Sequence, residues 1–240
     1  MPALRWGSAS DVGRFRTANE DSFWASDGVF AIADGMGGHA AGEVASALAI
    51  SEVSQLADLS IRHPDDILEL IGRANEKIVD AGSRRRDRFG MATTLTGICF
   101  VSEDESDQWA VFNVGDSRVY RFADGSLSQL TSDHSEVQEM VAAGKILPEQ
   151  ASSYPRRNVV TRWLGSETSP LADVFVFPWV PGERFLVCSD GLTNELQEGQ
   201  IAEVLHDLTD PPAAAEELIR RANDAGGHDN TTVIVVDVAK

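Results

Sequence analysis

The chain has 240 residues, 42% of them hydrophobic, and its 38 acids against 20 bases give a net charge of -18. That length suits one large domain or two small ones with a substantial core. The acidity makes nucleic acid and anionic membranes poor partners. No apolar run approaches the roughly 18–20 residues of a membrane span, and the start MPALRWGSASDVG lacks the basic and apolar regions of a signal peptide, so a cytoplasmic protein is expected.

The first expected strands are LRWGSAS and SFWAS, then VFAIAD. Residues 29–45, VFAIADGMGGHAAGEVA, pass from an apolar run through an aspartate and a glycine turn into a small-residue helix. Gly35, Gly37 and Ala40 satisfy a loose G-x-G-x-x-A pattern, but a dinucleotide site needs a second strand after that helix. Instead, a helix over about 40–58 is followed by a second over about 65–86. His63-Pro64-Asp65-Asp66 opens the second helix with proline and acids in its first turn. Ile67, Ile71, Ala74 and Ile78 then recur at helical spacing. No Gly-Lys-Ser/Thr follows the glycines, so a nucleotide P-loop fails too. On spacing alone, a plain structural turn stays open.

Middle strands are expected in TTLTGICFV, WAVFNVGD, SRVYRFA and SLSQL, with a hairpin turn at ADGS, residues 123–126. Over about 132–165 the apolar periodicity weakens around a short helix holding Val137, Met140 and Val141. ADVFVFPWV and ERFLVCSD read as later strands. Asp210-Pro211 opens a helix that Gly226-Gly227 closes, and TTVIVVDV is a last strand apolar enough to be buried on both faces. Helix pairs separated by meandering strands favour antiparallel sheets over a doubly wound sheet. Cys99 and Cys188 lie in apolar runs and read as small buried hydrophobes. Neither opens a C-x5-R phosphate loop, because the sixth residue on is Glu105 after Cys99 and Asn194 after Cys188.

Acids recur where apolar segments end. Asp34, Asp116 and Asp190 each stand beside a glycine, Asp229 precedes the last strand, and Glu20 and Asp21 lie in RTANED. One Asp-Gly is an ordinary turn signal. Several together suggest carboxylates converging at one edge of a sheet, where they would raise one another's pKa unless cations relieved the repulsion. Oxygen donors without a histidine–cysteine set favour Mg²⁺ or Mn²⁺ over zinc.

The ordered set DVGRFRTANED, ADGMGGH, MATTL, NVGDSRVYR, LTSDHS, VTRWLG, CSDG and GHDNTTVIVV resembles the bacterial branch of the metal-dependent Ser/Thr protein phosphatases of type 2C, from Ser10 to Val236. The resemblance implies an α+β fold, a four-layer αββα sandwich of two antiparallel sheets flanked by helix pairs. It implies one catalytic domain over 1–240 with a flap-like insert at about 132–165. The implied reaction is hydrolysis of phosphoserine and phosphothreonine in proteins by a metal-activated water, reversing Ser/Thr kinase signalling. Expected partners are a kinase and its substrates, met by a monomer.

Residue by residue, the resemblance makes Asp34 the carboxylate bridging two metals and Gly35 the donor of a backbone carbonyl ligand. Asp190 and Asp229 match the other principal ligands, and Asp116 matches a ligand of a third, weaker cation shared with Asp190. The cations would be Mn²⁺ or Mg²⁺. Glu20 and Asp21 match acids that hold metal-bound waters or support the ligands, and Asn230 supports the site beside Asp229. Arg16 matches the arginine that grips the phosphate, and His39 a histidine proposed as general acid. His134 reads as a loop or helix-cap residue, and Asp237 as a strand residue. Two positions depart from the family pattern. Ala92-Thr93-Thr94 stands where Gly-Thr-Thr is common, and Trp163 interrupts a usual Thr-Arg-Ala-Leu-Gly. A phosphoprotein-binding relative without catalysis would have no need for Asp34, Asp190 and Asp229 together.

Overall fold

The computed structural model describes residues 3–26, 28–37, 41–103, 106–151, 153–168 and 170–239. One five-stranded sheet has the order β1-β12-β11-β8-β9, from β1 (Leu4–Asp11), β12 (Thr231–Val238), β11 (Arg184–Cys188), β8 (Arg118–Ala123) and β9 (Ser126–Gln129). The second has the order β10-β7-β6-β3-β2, from β10 (Asp173–Pro178), β7 (Ser106–Val114), β6 (Leu95–Glu103), β3 (Val29–Ala33) and β2 (Ser22–Ser26). Every pairing in both sheets is antiparallel, which excludes the parallel frame of a dinucleotide fold.

Strand periodicity explains the layers. Successive side chains face opposite sides of a sheet. Phe30 and Ile32 of β3, Ile98 and Phe100 of β6, Phe185 and Val187 of β11, and Ile234 and Val236 of β12 therefore meet between the two sheets, around the fully buried Trp109. The alternate residues Val29, Ala31 and Ala33 of β3 face outward, against α1 (Gly42–Val53) and α2 (Pro64–Ser83). Leu186, Cys188, Val233 and Val235 face outward on the other side, against α5 (Asp190–Glu195), α6 (Glu198–Asp207) and α7 (Pro211–Ala225). The result is the expected αββα sandwich. All five residues of β3 and of β11 are buried, because both faces of these strands are covered.

The structure differs from the sequence expectations in four places. The first helix stops at Val53 and continues as a 3-10 turn over Ser54–Asp58. The strand expected over TTLTGICFV breaks at Thr94, so β5 (Ala92–Thr93) leaves the sheet and pairs with β4 (Gly35–Met36) in a separate ribbon. The strand expected over ERFLVCSD stops at Cys188, α5 begins directly after Ser189 at Asp190, and the rest of α5 and all of α6 occupy residues to which no element was assigned. Asp237 is more than a strand residue. It takes a two-pronged bond from Arg184, Nε at 2.6 Å and Nη2 at 2.8 Å, while Arg184 also donates to the carbonyls of Leu205, Leu208 and Thr209. That clamp fastens the end of α6 to the sheet by supplying donors to carbonyls left over at a helix terminus.

The insert between β9 and β10 carries α3 (Glu136–Ala142) and α4 (Pro148–Ala151). Ser135, not His134, caps α3 by accepting a bond from Gln138 N–H. Among the described residues, no helix is long and apolar enough to cross a membrane.

Candidate active site

Register places the acid-bearing strand ends together. In the second sheet, Ala33 at the end of β3 pairs with Ser22 at the start of β2, and Val114 at the end of β7 pairs with Leu95 at the start of β6. In the first sheet, Cys188 at the end of β11 lies beside Val233 and Arg118. Asp21, Asp34, Asp116, Asp190 and Asp229 are the residues just beyond these ends.

Their electrostatics show the convergence. Burial raises the pKa of Asp34 well above the ordinary carboxylate range, and Asp21, Asp190, Asp116 and Asp229 push it further. Burial also raises Asp190, helped by Asp229. Asp116 is pushed up to about 8 by burial and by Asp190 and Asp133. Asp21 is pushed up to about 6 by burial, against hydrogen bonds from Thr232 and Ser189 that favour its ionised form. Glu20 is raised by burial and by Glu43. Each acid resists ionisation because its neighbours are acids in a partly dehydrated place.

The backbone under these acids is held tightly. Thr94 Oγ1 accepts from Asp34 N–H at 3.0 Å, Thr93 Oγ1 donates to Asp34 O at 2.8 Å, and Thr94 N–H donates to the same carbonyl at 2.9 Å. Gly35 N–H donates to Glu20 O at 3.2 Å. A Cβ on Gly35 would overlap the carbonyls of Gly42 and Glu20, so only glycine lets these three backbones approach. Asn230 stitches the loop before β2 to the start of β12. Its Oδ1 accepts from Glu20 N–H at 2.8 Å, and its Nδ2 donates to Val12 O and Ala18 O at 2.9 and 3.0 Å. Asp21 Oδ2 takes bonds from Ser189 Oγ and Thr232 Oγ1 at 2.9 and 2.7 Å.

Arg16 stands at the rim. Its Nη2 lies 2.7 Å from Asp229 Oδ2, and the guanidinium is about half exposed. Asp229, with Asp34 and Glu20 nearby, raises the pKa of Arg16 further above its already high value. His39 lies outside the described residues.

The residues fit hard divalent cations. The donors are carboxylate and carbonyl oxygens, and Asp21 Oδ1 and Asp190 Oδ1 are buried with no hydrogen-bond partner among the described residues. Buried charged oxygens without partners are costly, and a cation relieves that cost. No three of the described His, Cys, Asp or Glu side chains already stand as a closed ligand cage, so the acids form a neighbourhood rather than a finished coordination shell.

Sequence reasoning did not assign roles to Thr93, Thr94, Ser117, Ser189 or Thr232. Their signal was available: hydroxyls buried beside strand ends need partners, and here the partners are the acids and their backbone or, for Ser117, the Thr94 hydroxyl.

A sequence model described as protein phosphatase 2C matches residues 16–225. The chain is 40% identical over 240 residues to the serine/threonine protein phosphatase PstP of Mycobacterium tuberculosis, covering 98% of this chain and 45% of that protein. It thus spans less than half the length of that relative. It is 38% identical over 239 residues to the serine/threonine phosphatase stp of Listeria monocytogenes, covering 95% of this chain and 93% of the other. The crystal structure of the M. tuberculosis phosphatase PstP/Ppp matches with a TM-score of 0.90 at 38% identity, covering 99% of both chains. The PstP catalytic domain in complex with two manganese ions matches with a TM-score of 0.88 at 37% identity, again covering 99% of both.

Proposed function

The chain belongs to the protein phosphatase 2C family, and from that premise we propose that it hydrolyses phosphoserine and phosphothreonine esters in proteins. The observation that carries the reading is the mutual repulsion of Asp21, Asp34, Asp116, Asp190 and Asp229 at one end of the sandwich. Proteins keep such a cluster where cations offset it. In this reading, Asp34, Gly35, Asp190 and Asp229 hold a pair of Mn²⁺ or Mg²⁺ ions, and Asp116 joins Asp190 at a third. When bound, such ions lower the pKa of a coordinated water from about 15.7 toward neutrality and offset charge on the phosphoryl oxygens.

The chain's own residues do the rest. Thr93 and Thr94 fix the Asp34 backbone, so the carboxylate is presented at one height above the sheet. Arg16 offers a planar, permanently charged fork for two phosphate oxygens. Its present partner, Asp229, keeps it oriented at the rim. Glu20 and Asp21 orient water around the site, Asn230 locks the loop that carries Glu20, and His39 supplies a proton to the leaving serine or threonine oxygen. The 240 residues act as one catalytic unit, with the insert of about 132–165 as a flap beside the site. The expected setting, a cytoplasmic monomer acting on a Ser/Thr kinase and its substrates, belongs to the same proposal.

Turnover of a phosphothreonine peptide should vanish in chelator and return with Mn²⁺ or Mg²⁺. Asp190→Asn should stay folded and lose most activity. Full turnover in metal-free buffer would sink the reading.

A further inference from the structure

The insert leaves and rejoins the sandwich at one buried imidazole. His134, 5% exposed, touches three segments. Its N–H donates to Gly115 O at 2.8 Å, and its Nδ1 accepts from Gly115 N–H at 3.1 Å. Its carbonyl accepts from Thr161 N–H at 2.7 Å, where the insert returns. Its Nε2 lies 3.1 Å from Asp173 Oδ2, at the start of β10, and 3.2 Å from Arg162 Nη1. Arg162 Nη1 also reaches Asp173 Oδ1 at 3.1 Å. Because Nδ1 accepts from an amide, the neutral ring carries its proton on Nε2 and donates it to Asp173. Burial lowers the pKa of this imidazole, which favours that neutral form.

Gly115 immediately precedes Asp116, and its place admits no side chain. Its φ of 114° lies in the region that favours glycine. A Cβ there would come within 2.6 Å of Thr94 Cγ2, and Thr94 holds the Asp34 amide. Asn113 Nδ2 binds both Gly115 O and Ser132 O, at 3.1 and 3.2 Å. Two residues past Asp116, Arg118 forks onto Asp133 with Nε–Oδ1 at 2.9 Å and Nη2–Oδ2 at 2.7 Å. The turn bearing Asp116 is therefore tied on both sides to residues 132–134, the root of the insert.

We propose that His134 is a positioning residue for the hydrolysis, setting the placement of Asp116 according to how the insert is seated. This rests on the reading of Asp116 as a carboxylate of the metal centre. A shift of the insert moves Thr161, which holds the His134 carbonyl, and Arg162, which holds the Asp173 carboxylate facing the ring, so His134 turns and Gly115 moves with it. Asp116 follows because it is the next residue in the chain.

Two substitutions separate the arms of the ring. His134→Asn keeps an acceptor near the Nδ1 position and loses the reach to Asp173. His134→Gln keeps an amide near Nε2 and leaves Gly115 N–H without its acceptor. Both are compared with the wild type by Mn²⁺ titration calorimetry and by kcat and KM on one phosphothreonine peptide, alone and combined with Asp116→Ala. His134→Gln should lower kcat by about 10- to 100-fold, the usual effect of losing a group that orients a ligand. KM should barely change, and the weakest Mn²⁺ binding event should be lost. His134→Asn should recover most of that loss. In the Asp116→Ala background, neither substitution should lower kcat further, because coupled residues are not additive. Equal behaviour of Asn and Gln, or a loss of the same size without Asp116, would overturn the proposal and leave His134 as packing. Wild-type turnover by Asp116→Ala alone would remove Asp116 from the centre and the proposal with it, while leaving the dependence on Asp190 and added cation intact.

Discussion

Thr94 has one hydroxyl and two neighbours that use it. Its Oγ1 accepts from Asp34 N–H and lies 2.9 Å from Ser117 Oγ, and both Thr94 and Ser117 are fully buried. Thr94→Val keeps the shape and removes the hydroxyl, leaving the Asp34 amide and the Ser117 hydroxyl each short of a partner. An unmet buried group costs about 1–3 kcal/mol, so the urea midpoint should fall by a corresponding amount. Turnover of a phosphopeptide should fall as well, because the same bond fixes Asp34. Wild-type stability and turnover together would mean that the β4–β5 ribbon alone holds that backbone. The methyl of Ala92, where the family often has glycine, causes no visible disruption here: Ala92 is buried and pairs in register with Met36.

At the scale of elements, the insert's root is the part most open to test by pH. Burial places the folded-state pKa of His134 below its unfolded value of about 6.5. As pH falls below that value the unfolded chain binds the proton first, so this contribution to stability is full above about pH 6.5 and is lost progressively below it. Asp173 opposes the trend, and Arg162 reinforces it. Wild-type stability should therefore fall more steeply from pH 7.5 to 5.5 than that of His134→Asn, measured by urea unfolding. Parallel curves would mean that the ring accepts its proton without loss. The sequence carried β3, β12 and α2 plainly, since continuous apolar runs and helical spacing reflect faces that are buried locally. It also showed acids at strand ends. It did not show α5, because Ser-Asp-Gly reads as a turn until Ser189 is seen at the head of a helix. Nor did it show the contacts of His134, whose partners stand 19, 28 and 39 residues away. Loop polarity and buried polarity look alike until such distant segments are brought together.

At the scale of the molecule, the two ends of the sandwich do different work. β11 carries Arg184 at one end and leads to Asp190 beyond the other, about 20 Å apart at the rise of a strand. One end clamps a helix to a sheet, and the other gathers acids. The covered outer faces of the sheets have a further consequence through their two cysteines. Cys99 lies in the layer under α1 and α2, Cys188 in the layer under α5, α6 and α7, and both are fully buried and free. Burial pushes each thiol up to about 12, so a thiol-directed reagent meets almost no thiolate until water enters. The chain thus contains two clocks, one per helical layer. If the layers open as one unit, both thiols should label at a single rate equal to that of global unfolding. If one helical layer peels away first, its cysteine should label faster, and Cys99→Ala and Cys188→Ala variants, read one thiol at a time, would identify the half that lets go.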